Sequence, residues 1–128
     1  MAKAEEDWNS LEVLFEADLN AQADVVAFHA QQCAEKYLKA LLVWRDATEP
    51  EHRHYLRPLL ATMVTTHPQL ASLGRACERL ERFAVAFRYP GSNASAADAI
   101  ESRKWAAQIR AEAREILGLD PQLRMDLG

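Results

Sequence analysis

Four donor side chains stand in one row on a single segment of this sequence: His29, Gln32, Lys36 and Lys39. On a helix of 3.6 residues per turn they fall within an arc of about 80°, with Glu35 at its flank. An imidazole, an amide and two ammonium groups side by side supply hydrogen-bond donors suited to a phosphate or to the edge of a nucleobase. A solvated helix face carrying Glu/Lys pairs has the same pattern, and spacing alone leaves both readings open. Other groupings are less complete. His52 and His54 stand two apart next to Glu51, but no Cys or acid at ligand spacing completes a metal site, so none is expected. Arg75, Arg79 and Arg82 share one face of a predicted helix opposite its apolar seam, with Glu78 and Glu81 beside them. That arrangement reads as a solvated, salt-bridged face, with an RNA or partner surface as the alternative. A Gly-rich phosphate loop, a Cys-x-x-Cys pair, a Gly-x-Ser-x-Gly elbow and a dinucleotide fingerprint are all missing, and no cofactor is expected.

The elements that must hold these residues are helical throughout. Trp8, Leu11, Phe15 and Leu19 recur at steps of three and four and predict a first helix over about Ala4 to Asn20. The second, about Ala21 to Arg45, has neither Gly nor Pro. It gathers Ala27, Ala30, Cys33, Ala34, Tyr37, Leu38 and Leu41 on one broad face, opposite the donor row. After a polar loop over 46–54, a short helix from about Tyr55 to Thr66 carries Leu56, Leu59, Leu60 and Met63, with Pro58 tolerated in its first turn. Pro68 opens a fourth helix whose seam is Leu70, Leu73, Cys77, Leu80, Ala84 and Phe87, stopped by Pro90-Gly91. Ser95 and Asp98 resemble a capping box and start a fifth helix with Trp105, Ile109 and Ile116 as its stripe. Gly118 and Pro121 close it. No stretch alternates like a strand. The expected fold is all-α, an up-and-down bundle of four main helices plus one short helix over residues 1–118, followed by a polar tail over 119–128.

Composition narrows the function classes. Half of the 128 residues are hydrophobic and only nine are Gly or Pro, which describes a globular chain and excludes a disordered or collagen-like one. The net charge of −4 excludes a global positive field. The charge is uneven, however: residues 1–24 hold seven acids against Lys3, and nine of the arginines lie between Arg57 and Arg124. A local basic face is therefore compatible with an acidic chain. Cys33 and Cys77 fall on apolar stripes and read as reduced core thiols of a cytoplasmic protein. The acidic start MAKAEEDWNS is no signal peptide, and the longest strongly apolar run, 40–44, is far short of a membrane span. Trp8, Trp44 and Trp105 are expected to pack on or cover the core.

The wording of the second helix adds more than its period. Residues 28–42, FHAQQCAEKYLKALL, closely resemble the signature helix of HEPN domains (higher eukaryotes and prokaryotes nucleotide-binding). His54-Tyr-Leu-Arg-Pro-Leu-Leu60, Phe87-Arg-Tyr-Pro90 and Asp7-Trp8 are similar, in order, to further markers of that family, so the resemblance spans about Asp7 to Leu117. It implies a bundle of four to five helices. Many members are metal-independent endoribonucleases that use an Arg, four to six residues, then a His at the start of the last long helix. Here Arg88 is followed by Tyr-Pro-Gly-Ser-Asn-Ala-Ser, and no His occurs after His67. Arg45 and His52 match the spacing but lie between the second and third helices. The resemblance therefore points to the subfamily paired with small nucleotidyltransferases. In that setting the chain is expected to be a homodimer that holds nucleotide or RNA without cutting it, within a toxin–antitoxin-type cassette. Lys36, Lys39 and Arg88 would contact phosphate, His29 and Gln32 would orient a base or ribose, and Tyr89 would stack on a ring. Alternatively Gln32 and Glu35 face His54 or Arg88 in a structural polar network. The rival functions are a ribonuclease toxin using Arg88 with another base, and a plain dimerisation module.

Overall fold

The computed structural model describes residues 2–44, 56–65, 68–86 and 94–118. Helix α1 spans Ala2–Ala17, α2 Ala23–Trp44, α3 Leu56–Val64, α4 Gly74–Ala86 and α5 Ala96–Ile116. No strand occurs among the described residues.

Cross-helix side-chain contacts fix the directions. Glu5 meets Tyr37 and Asp7 meets Lys36, so α1 and α2 are antiparallel. Arg79 meets Glu101 while Arg75 lies over Trp105, so α4 and α5 are antiparallel as well. Asp24 accepts the Ala94 backbone N–H at 2.5 Å, and Arg114 donates to Tyr37 at 3.1 Å, which sets α2 and α5 parallel. The four main helices thus run up, down, up, down, with α3 as the short addition. Helices α2 and α5 pack on each other, and both bury small residues, Ala27, Ala30 and Ala34 on α2 and Ala99, Ala106 and Ala113 on α5. Such residues let two helices approach closely. Helix α1 packs mainly on α2 and reaches α5 through long side chains.

The apolar stripe predicted for α2 is buried in full, and so is the stripe of α3. In α1, Trp8 and Leu11 are buried whereas Phe15 and Leu19 are only partly so. This helix stops three residues short of the predicted Asn20. The cause is local: Asp18 turns its carboxylate onto the Ala21 N–H at 3.1 Å, a side-chain bond that competes with helix continuation. The Ser95–Asp98 capping box forms, with both reciprocal bonds present, and Gly118 ends α5 at a φ of 75°.

One prediction needs correction. The single fourth helix from Pro68 is two pieces, a 3-10 segment over Pro68–Leu73 and then α4. The Ser72 hydroxyl donates to the Gln69 carbonyl at 3.1 Å, a side-chain bond that competes for a carbonyl an α-helix would use, and Gly74 is a poor residue for carrying one helix through from the segment before it. The eclipsed i, i+3 spacing of the tighter helix still buries Leu70 and Leu73 together.

Candidate functional site

The donor row lies along the seam between α1 and α2, and an acid from α1 organises it. Asp7 is nearly buried. One of its oxygens accepts from His29 Nδ1 at 2.7 Å and the other from Lys36 Nζ at 2.5 Å. One turn on, Lys39 pairs with Glu35 at 3.1 Å within α2. Gln32 is half-buried between them. Three of the four predicted donors are therefore engaged inside the chain. They are not sealed. The side chains of His29, Lys36 and Lys39 keep 22%, 34% and 24% of their surface exposed. Each ammonium spends one of its three N–H groups on its carboxylate. Arg88 and Tyr89, together with Arg45, His52 and His54, lie outside the described residues.

A second polar cluster, absent from the sequence reading, sits deeper between α1, α2 and α5. Glu5 is fully buried and accepts from Arg110 through Nε at 2.7 Å and Nη2 at 2.8 Å. The Tyr37 hydroxyl donates to Glu5 and accepts from Arg114 Nη1 at 3.1 Å. The same Arg114 nitrogen lies 3.6 Å from the other Glu5 oxygen. Burial alone would push the Glu5 carboxyl upward. The hydrogen bonds from Arg110 and Tyr37 and the charges of Arg110 and Arg114 outweigh it and hold the group below its ordinary range. Burial first, and Glu5 second, push the Tyr37 phenol up, so it stays a neutral donor. A helical wheel could have signalled this cluster. On a helix Glu5 lies about 60° from Trp8, at the edge of the α1 stripe, and Arg110, four residues after the buried Ala106, lies about 40° from it at the edge of the α5 stripe.

The remaining groupings resolve plainly. Cys33 and Cys77 are free and buried; burial pushes Cys33 up strongly and Cys77 up to about 12, so neither supplies a thiolate nucleophile. The arginine face of α4 is more than a solvated ladder with Glu78 and Glu81. Arg79 crosses to Glu101 of α5 at 2.7 Å, Arg75 lies over the partly buried Trp105 ring at 5.9 Å, and Glu81 accepts the Arg57 backbone N–H at 2.6 Å. Trp8 is buried beneath the Arg103 and Arg110 guanidinium groups, 5.6 and 5.0 Å from its ring. Among the described residues no group of three or more His, Cys, Asp or Glu side chains is arranged to hold a metal, and no helix is long and apolar enough to cross a membrane.

The bundle with its α1–α2 seam can position hydrogen-bond donors at a half-exposed helix face, and it holds its buried charges in pairs. No curated protein and no solved structure was found to match the chain. The HEPN domain model matches residues 1–119, almost the full length. With the helical architecture and the signature segment on α2 in agreement, the chain belongs to the HEPN domain family.

Proposed function

We propose that this HEPN protein is a non-catalytic nucleotide- or RNA-binding module, homodimeric, cytoplasmic, and the partner of a small nucleotidyltransferase in a toxin–antitoxin-type cassette. Membership of the family supports a module of the nucleotide-binding, RNA-binding or nuclease type in general. The observation that carries the non-catalytic reading is a sequence fact: no His follows His67, so the arginine near the start of the last long helix, Arg88, has no imidazole four to six residues on. A metal-independent cut at a ribose needs a base to take the 2′-hydroxyl proton and an acid to protonate the leaving oxygen. Without that His the familiar pair is incomplete. What is left is a scaffold with donors on α2, suited to holding a nucleotide while a partner does the chemistry.

Two measurements test this. Purified protein incubated with RNA without metal is expected to leave the strand intact; cleavage that Arg88→Ala abolishes would replace the binding module with a ribonuclease. Co-purification with the product of the adjacent gene is expected to recover a small nucleotidyltransferase. A neighbouring product of any other kind would remove the partner assignment.

A further inference from the structure

The surface beside the α1–α2 seam carries an aromatic ring that the core does not use. Phe28 is 57% exposed, an unusual state for a phenylalanine, and Val25 one turn earlier is 39% exposed. The Phe28 ring meets the His29 imidazole edge to face, with centroids 5.4 Å apart and an interplanar angle of 73°. Because His29 Nδ1 donates to Asp7, the ring's orientation is fixed, and its second nitrogen, Nε2, has no partner among the described residues. Asp7 fixes Lys36 through its other oxygen, so the ammonium and the imidazole are held beside one carboxylate. Phe28 extends the arc of His29, Gln32, Lys36 and Lys39 by only about 20° on the helix wheel. An exposed aromatic ring, an oriented imidazole, a half-buried amide and ammonium groups with N–H bonds that no described residue takes thus lie on one strip of α2.

We infer that this strip is a docking site for one nucleoside monophosphate unit, free or within single-stranded RNA, with the base stacked on Phe28, the ribose hydroxyl or base edge bonded to His29 Nε2, and the phosphate reached by Lys36. The inference rests on the nucleotide-binding reading above and adds two residues to it: Phe28 as the stacking platform and Asp7 as a positioning residue. Base–aromatic stacking tolerates any base, because every base has a π face, so the site selects the nucleotide unit over a sequence. Lys36 and Lys39 are balanced locally by Asp7 and Glu35. Binding here draws little on net charge, unlike a basic RNA groove, which loses affinity steeply with salt.

Isothermal titration of the full chain with AMP, with a single-stranded hexanucleotide of adenylate and with inorganic phosphate tests the inference, backed by the 15N shift of His29 Nε2. AMP is expected to bind and to move that shift, and phosphate alone is expected to do neither. Phe28→Ala should weaken AMP roughly five- to hundredfold while Phe28→Tyr restores it, since the tyrosine keeps the ring. Raising KCl from 50 to 200 mM should weaken AMP by less than about threefold, as one phosphate contact implies. Asp7→Asn should weaken AMP and disturb the His29 tautomer. Hexanucleotide binding much tighter than AMP assigns the site to RNA; equal binding assigns it to free nucleotide. If the wild type binds the hexanucleotide but Phe28→Ala and His29→Gln bind it equally well, this site is wrong and the binding module stands. If neither AMP nor the hexanucleotide binds the wild type, the functional reading itself falls and takes the site with it.

Discussion

Helix α1 contributes two carboxylates, two residues apart, to two polar clusters of opposite character. Glu5 is sealed between three helices, its oxygens taken by Arg110 and Tyr37 with Arg114 close by. Asp7 stands at the rim, and its partners His29 and Lys36 keep part of their surface in water. The types of group are nearly the same, but the environment assigns different work. In the deep cluster every group is directed inward, and the free energy at stake is that of a buried charge left alone. At the rim, one ring nitrogen of His29 and the remaining ammonium protons of Lys36 have no partner among the described residues. A carboxylate between cations is thus a strut in one place and a holder in the other, two residues along the same helix.

The strongest way to break this comparison is at Glu5. Glu5→Ala strands Arg110 and Arg114 without their counter-charge and is expected to cost about 3–5 kcal/mol, read as a lower urea midpoint with unchanged slope. Glu5→Gln keeps the shape and some acceptor capacity and should cost less. A loss below about 1 kcal/mol for Glu5→Ala would show that water reaches the cluster and that the two sites differ little.

The pH dependence sharpens the same point. The Glu5 carboxyl is held below its ordinary range in the fold, while in the unfolded chain it titrates near the usual glutamate value of about 4.3. Between those two values the unfolded chain binds more protons, so stability rises with pH there. The Glu5 contribution is therefore fully present above about pH 5 and is lost as pH falls through the folded value. Urea midpoints from pH 7 down to pH 3 should drop in the wild type. The drop should be shallower in Glu5→Gln, which has no proton to take up at that position.

At the rim the expected effect is smaller. Asp7→Asn removes one charge from a partly exposed pair and should cost about 1 kcal/mol, because solvent still serves His29 and Lys36. If thermal melts placed its cost level with that of Glu5→Gln, the rim would be as structural as the interior, and the contrast between strut and holder would collapse.

Much of this was legible in the sequence where period and side-chain type agree. The apolar face of α2, the stripe of α3 and the Ser95–Asp98 cap are read directly, because a buried Leu every third or fourth position has no other good use. The donors of α2 were legible as a row, but their engagement was not. Nothing local in a sequence says that Asp7, 22 residues before His29, will close over that row from another helix. Glu5, Arg110 and Arg114 were passed over for the same reason. A charge on an apolar stripe reads as a stripe boundary until its partner, 105 residues away for Glu5 and Arg110, is known. The split before Gly74 was missed because 3-10 and α-helical turns share the i, i+3 spacing that places Leu70 and Leu73.

The last test concerns polarity that the fold leaves unpaired, the reverse of the Glu5 case. Ser102 on α5 is completely buried, between Ala99 and Ala106 in sequence, and its hydroxyl has no hydrogen-bond partner among the described residues. In the unfolded chain that hydroxyl is hydrated, so folding strips its water and returns nothing. Ser102→Ala removes the oxygen, keeps the Cβ and extends the run of buried alanines at 99, 106 and 113 on α5. It should therefore stabilise the bundle by about 0.5–1 kcal/mol, a rise of a few degrees in Tm. Ser102→Val, which adds volume at a completely buried position, should instead destabilise by roughly 1–3 kcal/mol. A clear loss with Ser102→Ala would mean that the hydroxyl holds a water inside the bundle, and the interior would then have to be counted as wetter than the Glu5 cluster implies.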